Sequence, residues 1–387
     1  MTATYRTLAP SPRLLLGPGP SQISPRVLRA CATPLLGYLD PEYIALMDDT
    51  QTLLREVFET ANEWTVCAPG TGMAGMEAAL VNALEPGDTV LIGVLGLFGE
   101  RMVEIARRLG AQVTRVDAEW GAAIQPEQIA AALRTVRPKV VAIVHAETST
   151  GVLQPLAEIG RLAHEAGALF LVDCVTSLGG VSVGVDANGV DIAYSGTQKC
   201  LGAPPSLSPM TFSPAAVAAY RARKAVVPSF YLDMGQFWRY WGPERGYHQT
   251  GMINMVYALR EALLEVHEEG LAARFARHRR NQQALLAGLQ GMGLEPLVQD
   301  PAQRLPSLTT VRVPAGADDK AVRAALLERY GIEIGGGLGQ LAGRIWRIGL
   351  MGYASQRANV MLLLAALGDL LKNERVDQAL AAAAAVD

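Results

Sequence analysis

Two runs of sequence decide the fold. The first is Ala168-Leu169-Phe170-Leu171-Val172-Asp173, and the second is Val190-Asp191-Ile192-Ala193-Tyr194-Ser195-Gly196-Thr197-Gln198-Lys199. Each is a short apolar run that stops at small or polar residues, the pattern of a strand buried on both faces. The first ends in one carboxylate and the second leads into one lysine. Lys199 follows Asp173 by 26 residues, enough for a loop and a return to a neighbouring strand.

Outward from this pair the pattern repeats. Residues 65–68, 89–93, 112–116, 140–145, 169–172, 192–195 and 210–212 read as strands. Residues 74–84, 98–109, 126–136 and 156–166 read as helices between them. Strands that alternate with helices predict an α/β fold with a mostly parallel sheet covered on both faces. In such sheets ligands bind beyond the carboxyl ends of the strands. The segment before residue 20 is proline-rich and lacks periodicity, so it reads as an arm lying on another surface. Near residue 247 the pattern changes to a long connecting helix and a smaller α+β unit. The expected division is an arm over 1–20, a large unit over 21–255 and a small unit over 256–387, connecting helix included.

The chain has 387 residues, half of them hydrophobic, and can bury a large core. Its 34 basic and 37 acidic side chains nearly balance, which offers nothing to nucleic acid or to an anionic membrane. The densest basic run, Arg274 to Arg280, reads as the solvated face of a helix. Four cysteines without a C-x-x-C pair suit a reducing, cytoplasmic setting. Five scattered histidines give no metal-ligand spacing, so no metal is expected. No apolar run is long enough for a membrane span, and the N-terminus lacks a signal pattern.

Only five lysines occur, and the other four lie beside prolines, charges or helix ends. A Schiff-base lysine and an aspartate facing a pyridinium nitrogen are the two groups that pyridoxal 5'-phosphate chemistry requires. Read alone, Lys199 fits that role or that of a solvated lysine after a strand. Gly70-Thr71-Gly72-Met73-Ala74, between a strand and a helix, fits a phosphate cradle or a simple turn. It is no Walker loop, because the G-x-x-x-x-G-K-[ST] pattern is missing.

The run Ser195-Gly196-Thr197-Gln198-Lys199-Cys200-Leu201-Gly202-Ala203-Pro204-Pro205 resembles the cofactor-lysine motif of fold-type I, class V aminotransferases. The similarity is greatest to the alanine–glyoxylate and serine–pyruvate enzymes. It extends from Leu14-Leu15-Leu16-Gly17-Pro18-Gly19-Pro20, through His145-Ala146-Glu147-Thr148-Ser149-Thr150-Gly151, to Gly335-Gly336-Gly337-Leu338-Gly339 and Trp346-Arg347-Ile348-Gly349-Leu350-Met351-Gly352. The resemblance implies a fold-type I transferase, with a large seven-stranded-type sheet and a smaller C-terminal α+β domain.

It also implies roles. Lys199 would carry pyridoxal phosphate as an aldimine and then act as general acid–base. Asp173 would face the ring nitrogen. Thr71, Gly72 and Met73 would bind the phosphate, Met73 through its backbone N–H where many relatives have a polar side chain. Phe98 would stack on the ring; without the resemblance it reads as a core phenylalanine. Thr148 and Gln198 would bond the ring hydroxyl or the phosphate. Tyr247 and Thr250 would reach the phosphate of a neighbouring subunit, which implies a homodimer with shared sites. Arg347 would grip the substrate carboxylate, beside Gly19 and Tyr38; a structural salt bridge is the other reading.

The implied reaction is ping-pong transfer of an amino group from alanine or serine to glyoxylate, giving glycine. The chain is also similar to ureidoglycine–glyoxylate aminotransferases, in Leu341-Ala342-Gly343-Arg344-Ile345-Trp346-Arg347 among other stretches. That subgroup carries amide side chains at the positions of Tyr38 and Tyr247, whose loss disfavours ureidoglycine here. A lyase or desulfurase on the same scaffold would need a mobile catalytic cysteine, and none lies in an obvious flexible loop.

Overall fold

The structure, a computed structural model, describes residues 7–386. Residues 1–6 of the expected arm lie outside them. Seven strands form the main sheet: β1 (Trp64–Pro69), β2 (Thr89–Val94), β3 (Gln112–Asp117), β4 (Val140–Val144), β5 (Leu169–Asp173), β6 (Ile192–Tyr194) and β7 (Leu207–Phe212). Their order is β1-β7-β6-β5-β4-β2-β3. Only β7 runs against its neighbours; the other pairings are parallel. The carboxyl ends of the remaining strands therefore share one edge. That edge brings residues 71, 98, 148, 173 and 199 within reach of one another.

The central strands are buried along nearly their whole length, as their unbroken apolar runs require. Helices Gly72–Ala83, Leu97–Arg108, Pro126–Leu133 and Ala157–Glu165 cover the sheet. The expected helices differ from these mainly at their ends, by up to one turn. The last strand, read from the sequence as 210–212, is longer. It starts at Leu207. Pro209 keeps its carbonyl in the ladder, accepting from Ser195 N at 2.8 Å.

The C-terminal part builds a second sheet, β8 (Leu308–Arg312), β9 (Gly335–Gly336) and β10 (Ile345–Gly349), with β10 central and antiparallel to both neighbours. Its own core includes Leu285, Leu289, Val311, Trp346, Leu363 and Leu367. The arm belongs to this core. Leu14–Leu15 pairs in parallel with Ile332–Glu333, Leu16 is fully buried, and Gly349 N donates to Leu16 O at 2.8 Å. Helix Ile253–Glu269, expected within the small unit, packs Val256, Leu259, Leu263 and Val266 into the larger core instead. The change of core falls along the next helix, Leu271–Gly291, whose Ala284, Leu285 and Leu289 join the smaller one.

That helix corrects one expectation. Arg274 is 5% exposed and His278 fully buried, while only Arg279 and Arg280 of the basic run face solvent among its strongly basic members. The spacing of 274, 277, 278 and 281 places those four side chains on one helix face, and that face is packed against protein. A run of charges reveals its mean polarity but not which stripe of the helix is covered. Among the described residues no helix is long and apolar enough to cross a membrane. None of their His, Cys, Asp and Glu side chains group in threes that could hold a metal.

Candidate active site

The carboxyl edge of the main sheet encloses a cavity of about 200 Å³. Thr71, Gly72, Met73, Phe98, Thr148, Asp173, Gln198 and Lys199 all line it. Gly19 and Arg347 adjoin it. A Cβ on Gly19 would fall 2.9 Å from both Cδ and Cε of Lys199, and Lys199 Nζ donates to the carbonyl of Pro18. The arm thus closes over the lysine, and the backbone at Gly19 (φ 112°) is one that glycine adopts freely.

Burial lowers the Lys199 ammonium to about 8, helped by the positive charge of Arg347. A lysine poised there has a neutral fraction available as nucleophile and proton acceptor. Asp173 ends β5 and is 2% exposed. Its Oδ1 accepts from Val175 N and its Oδ2 from the Tyr194 hydroxyl, both at 2.8 Å. Burial still pushes its carboxyl up to about 7 against those two bonds. Register explains the second bond, because Asp173 and Tyr194 are paired residues on adjacent strands.

The turn after β1 gives the cavity another wall. Thr71 caps helix Gly72–Ala83 without a side-chain hydrogen bond, so the leading N–H groups of the helix remain for a ligand. A Cβ on Gly72 would lie 2.7 Å from Val175, which fixes glycine there by close approach. Gln198 Oε1 is buried and has no hydrogen-bond partner in the protein. Phe98 opens helix Leu97–Arg108, and its N–H donates to Glu147 Oε2 at 3.1 Å. The same carboxylate accepts from Ser149 N and Oγ, and burial raises its pKa. A fully buried acid at the start of that helix seats Phe98 at the cavity wall.

Arg347 sits on β10 and is 7% exposed. Nε donates to Gly336 O at 2.7 Å, and Nη1 lies 3.4 Å from Thr148 O. Both partners are carbonyls. Among the described residues it has no salt-bridge partner, so its fork is not consumed by a carboxylate. Burial draws its pKa down to about 10.

Tyr38, Tyr247 and Thr250 do not line the cavity. Tyr247 and Thr250 are exposed, and the Tyr38 and Tyr247 rings lie 5.1 Å apart at 49°. The sequence reading missed Glu147, Tyr194 and Arg101, which also lines the cavity with its guanidinium 4.9 Å from the Phe98 ring centroid. Glu147 had a signal, an acid among small residues after an apolar strand. Tyr194 had none, since only strand register brings it to Asp173.

Residues 14–357 match the family described as aminotransferase class-V. The chain is a class V aminotransferase. The enzyme is 42% identical over 402 residues to the (S)-ureidoglycine–glyoxylate transaminase of Bacillus subtilis, covering 99% of this chain and 96% of that protein. It is also 42% identical to the alanine–glyoxylate aminotransferase of Callithrix jacchus, over 96% of this chain and 90% of that one. Among solved structures, the alanine–glyoxylate aminotransferase of Nostoc sp. superposes with a TM-score of 0.94 at 50% identity, covering 95% of this chain and 98% of that one.

The aminotransferase takes pyridoxal phosphate, and its cavity suits that group. The unpartnered Gln198 Oε1 awaits a donor. The raised Asp173 carboxyl gains from a cationic ring nitrogen. The open helix terminus suits a phosphate.

Proposed function

We propose that this transaminase moves the amino group of alanine or serine to glyoxylate, forming glycine and pyruvate or hydroxypyruvate. The observation that carries this choice is tyrosine at both 38 and 247, whose rings lie 5.1 Å apart outside the cavity of their own chain, where in a homodimer they would face the partner subunit's cavity. Two phenols stand where ureidoglycine enzymes have amides, and an amide-lined site loses much when its hydrogen-bonding groups are replaced. Similarity to the Bacillus subtilis enzyme at a TM-score of 0.96 supports ureidoglycine as the second reading.

Pyridoxal phosphate supplies the electron sink and carries the amino group between donor and acceptor. Arg347 binds the substrate carboxylate through its planar fork. Lys199 Nζ takes the Cα proton of the donor and would deliver it to the carbon of the bound cofactor that keeps the amino nitrogen. Asp173 holds the proton on the ring nitrogen, and Tyr194 and Val175 N keep its carboxylate in place. With the cofactor bound, Thr71, Gly72 and the Met73 N–H would hold the phosphate, Phe98 would flank the ring, and Thr148 and Gln198 would bond its polar groups. Gly19 packs the arm over Lys199.

The exposed positions of Tyr247 and Thr250, apart from the cavity of their own chain, support a homodimer in which each reaches the partner's phosphate. Four free cysteines, three of them buried, support work in the reducing cytoplasm.

The deciding experiment is the visible spectrum of the purified holoenzyme after adding L-alanine, L-serine or ureidoglycine without an oxo acid. Conversion to the aminated cofactor by alanine or serine supports the proposal. Conversion by ureidoglycine alone overturns it in favour of the second reading. Sedimentation of the holoenzyme as a monomer would refute the shared site.

A further inference from the structure

On the face of helix Leu271–Gly291 that carries Arg274, Arg277, His278 and Asn281, Arg277 is partly buried and the other three are buried, and every one of these side chains is bonded. Arg274 Nη2 donates to Cys200 O at 2.7 Å, on the residue after Lys199. Its Nε donates to Gly179 O at 2.9 Å, in the loop that follows Asp173. Its Nη1 meets Glu269 Oε2 at 2.8 Å, and Arg277 binds the same carboxylate through Nε and Nη2. Arg277 Nη1 in turn donates to Gly352 O and Ser355 O, just past the strand of Arg347. His278 Nε2 accepts from Gly352 N at 3.0 Å while Nδ1 donates to Arg274 O. Gly352 itself (φ 55°) is pressed on the lysine loop, since a Cβ there would lie 2.8 Å from Cys200 O.

We propose that Arg274 is a positioning residue that sets Lys199 against Asp173 and Arg347. It does so by holding the two loops that follow β5 and β6, while its neighbours on the helix hold the turn after β10. The inference rests on the transaminase reading. The ion pair does not need a stability role to be explained. Replacing a whole buried ion pair by apolar side chains is often neutral for stability, because burying a guanidinium costs solvation. What the fork adds is direction, two carbonyls from separate loops fixed by one rigid plane. Ser21 completes the seat from the other side, its N and Oγ donating to Gln198 O and Lys199 O. Three successive carbonyls around the lysine, those of residues 198, 199 and 200, are therefore held from two sides, the first two by Ser21 and the third by Arg274. Proton transfer at Cα requires close alignment of Lys199 with a substrate anchored on Arg347, and misplacement by about 1 Å costs up to about a hundredfold.

The test uses the holoenzymes of wild type, Arg274→Met and Arg274→Lys, with Arg279→Ala as an exposed control on the same helix. Three quantities are read: the rate of the half-reaction with the competent donor, the donor concentration at half-saturation, and the pH midpoint of the resting visible band, which reports on the seat of Lys199. For Arg274→Met the rate falls about tenfold or more, half-saturation moves much less, and the pH midpoint shifts. Arg274→Lys recovers part of the rate because one donor can still reach one carbonyl. Arg279→Ala matches wild type. If Arg274→Met does not fold, Gly352→Ala carries the test, since its methyl pushes the same Cys200 carbonyl and should give the same signature. A variant with only a lower melting temperature, at wild-type rate and pH midpoint, overturns the inference. A wild type that responds to no donor defeats the transaminase reading instead, and the pH midpoint still judges Arg274.

Discussion

Two buried polar clusters lie next to each other in this enzyme, and they are finished differently. On the Arg274–Asn281 face every side chain has protein partners, and the His278 imidazole is pushed down to about 3 by burial, so it stays neutral. In the cavity the polar groups are left short. Gln198 Oε1 has no partner, Arg347 has only carbonyls, and Asp173 is pushed up to about 7. Unsatisfied polarity inside a protein is costly. Other buried polar atoms, such as Thr309 Oγ1 and Trp346 Nε1, also lack a partner. Among the described residues, only in the cavity does an unpartnered atom line open space together with a buried lysine and carboxylate, and that combination marks the place that meets a ligand.

The comparison predicts that cavity substitutions damage chemistry and leave melting nearly unchanged, with the reverse emphasis for satisfied positions distant from Lys199. Lys199→Ala should have the largest effect, a loss of more than about a thousandfold in turnover, with a folded protein that no longer shows the wild-type visible band. Asp173→Asn should follow, at about a hundredfold or more in turnover, measured with cofactor in excess so that weaker binding does not mimic the effect. Arg347→Lys keeps the charge and loses the fork. It should raise KM for the amino acid about tenfold, equivalent to about 1.4 kcal/mol. A KM unchanged from wild type would remove Arg347 from substrate binding.

A pH experiment separates the two clusters without any substrate. In the cofactor-free enzyme Asp173 holds its proton up to about 7, whereas the unfolded chain releases it near the ordinary 3.8. Between those values the folded state binds more protons, so this group makes stability fall as pH rises from about 4 to about 7. Asp173→Asn should flatten that slope in melting temperature, and saturation with pyridoxal phosphate should flatten it as well. A slope unchanged by either would mean that Asp173 is ionised in the folded state throughout. The smallest effect belongs to the solvated half of the basic run. Arg280→Ala should shift stability by no more than about 0.5 kcal/mol, as judged from denaturant midpoints.

Much of the fold was legible because the signals were local. Apolar runs with punctuation gave all seven strands of the main sheet, and small residues before Lys199 marked a strand end. The roles of residues 71–73, 98, 148 and 198 came through the family resemblance, whereas Asp173 and Lys199 stood out by their own chemistry at strand ends. A mostly parallel sheet brings its strand ends to one edge whatever the loops do. What failed was whatever depends on which side is covered. Arg274 looked like its neighbours Arg279 and Arg280, and the connecting helix gave no hint of which core its apolar face would join. The first half of β7 was missed, and it is the half that contains Pro209, which lacks a donor yet still offers its carbonyl to the ladder.

The sequence by itself determined the class of fold through its periodicity and, through its resemblance to a family, the lysine and the carboxylate, since both signals travel with the chain. Only the tertiary structure decided that Tyr194 braces Asp173, that the arm closes on Lys199 through Pro18, and that Arg274 holds the loops behind both groups. Each of these joins residues far apart in sequence or separated by a loop. Their meeting depends on strand register and on which helix face is buried, and neither is written in any one segment.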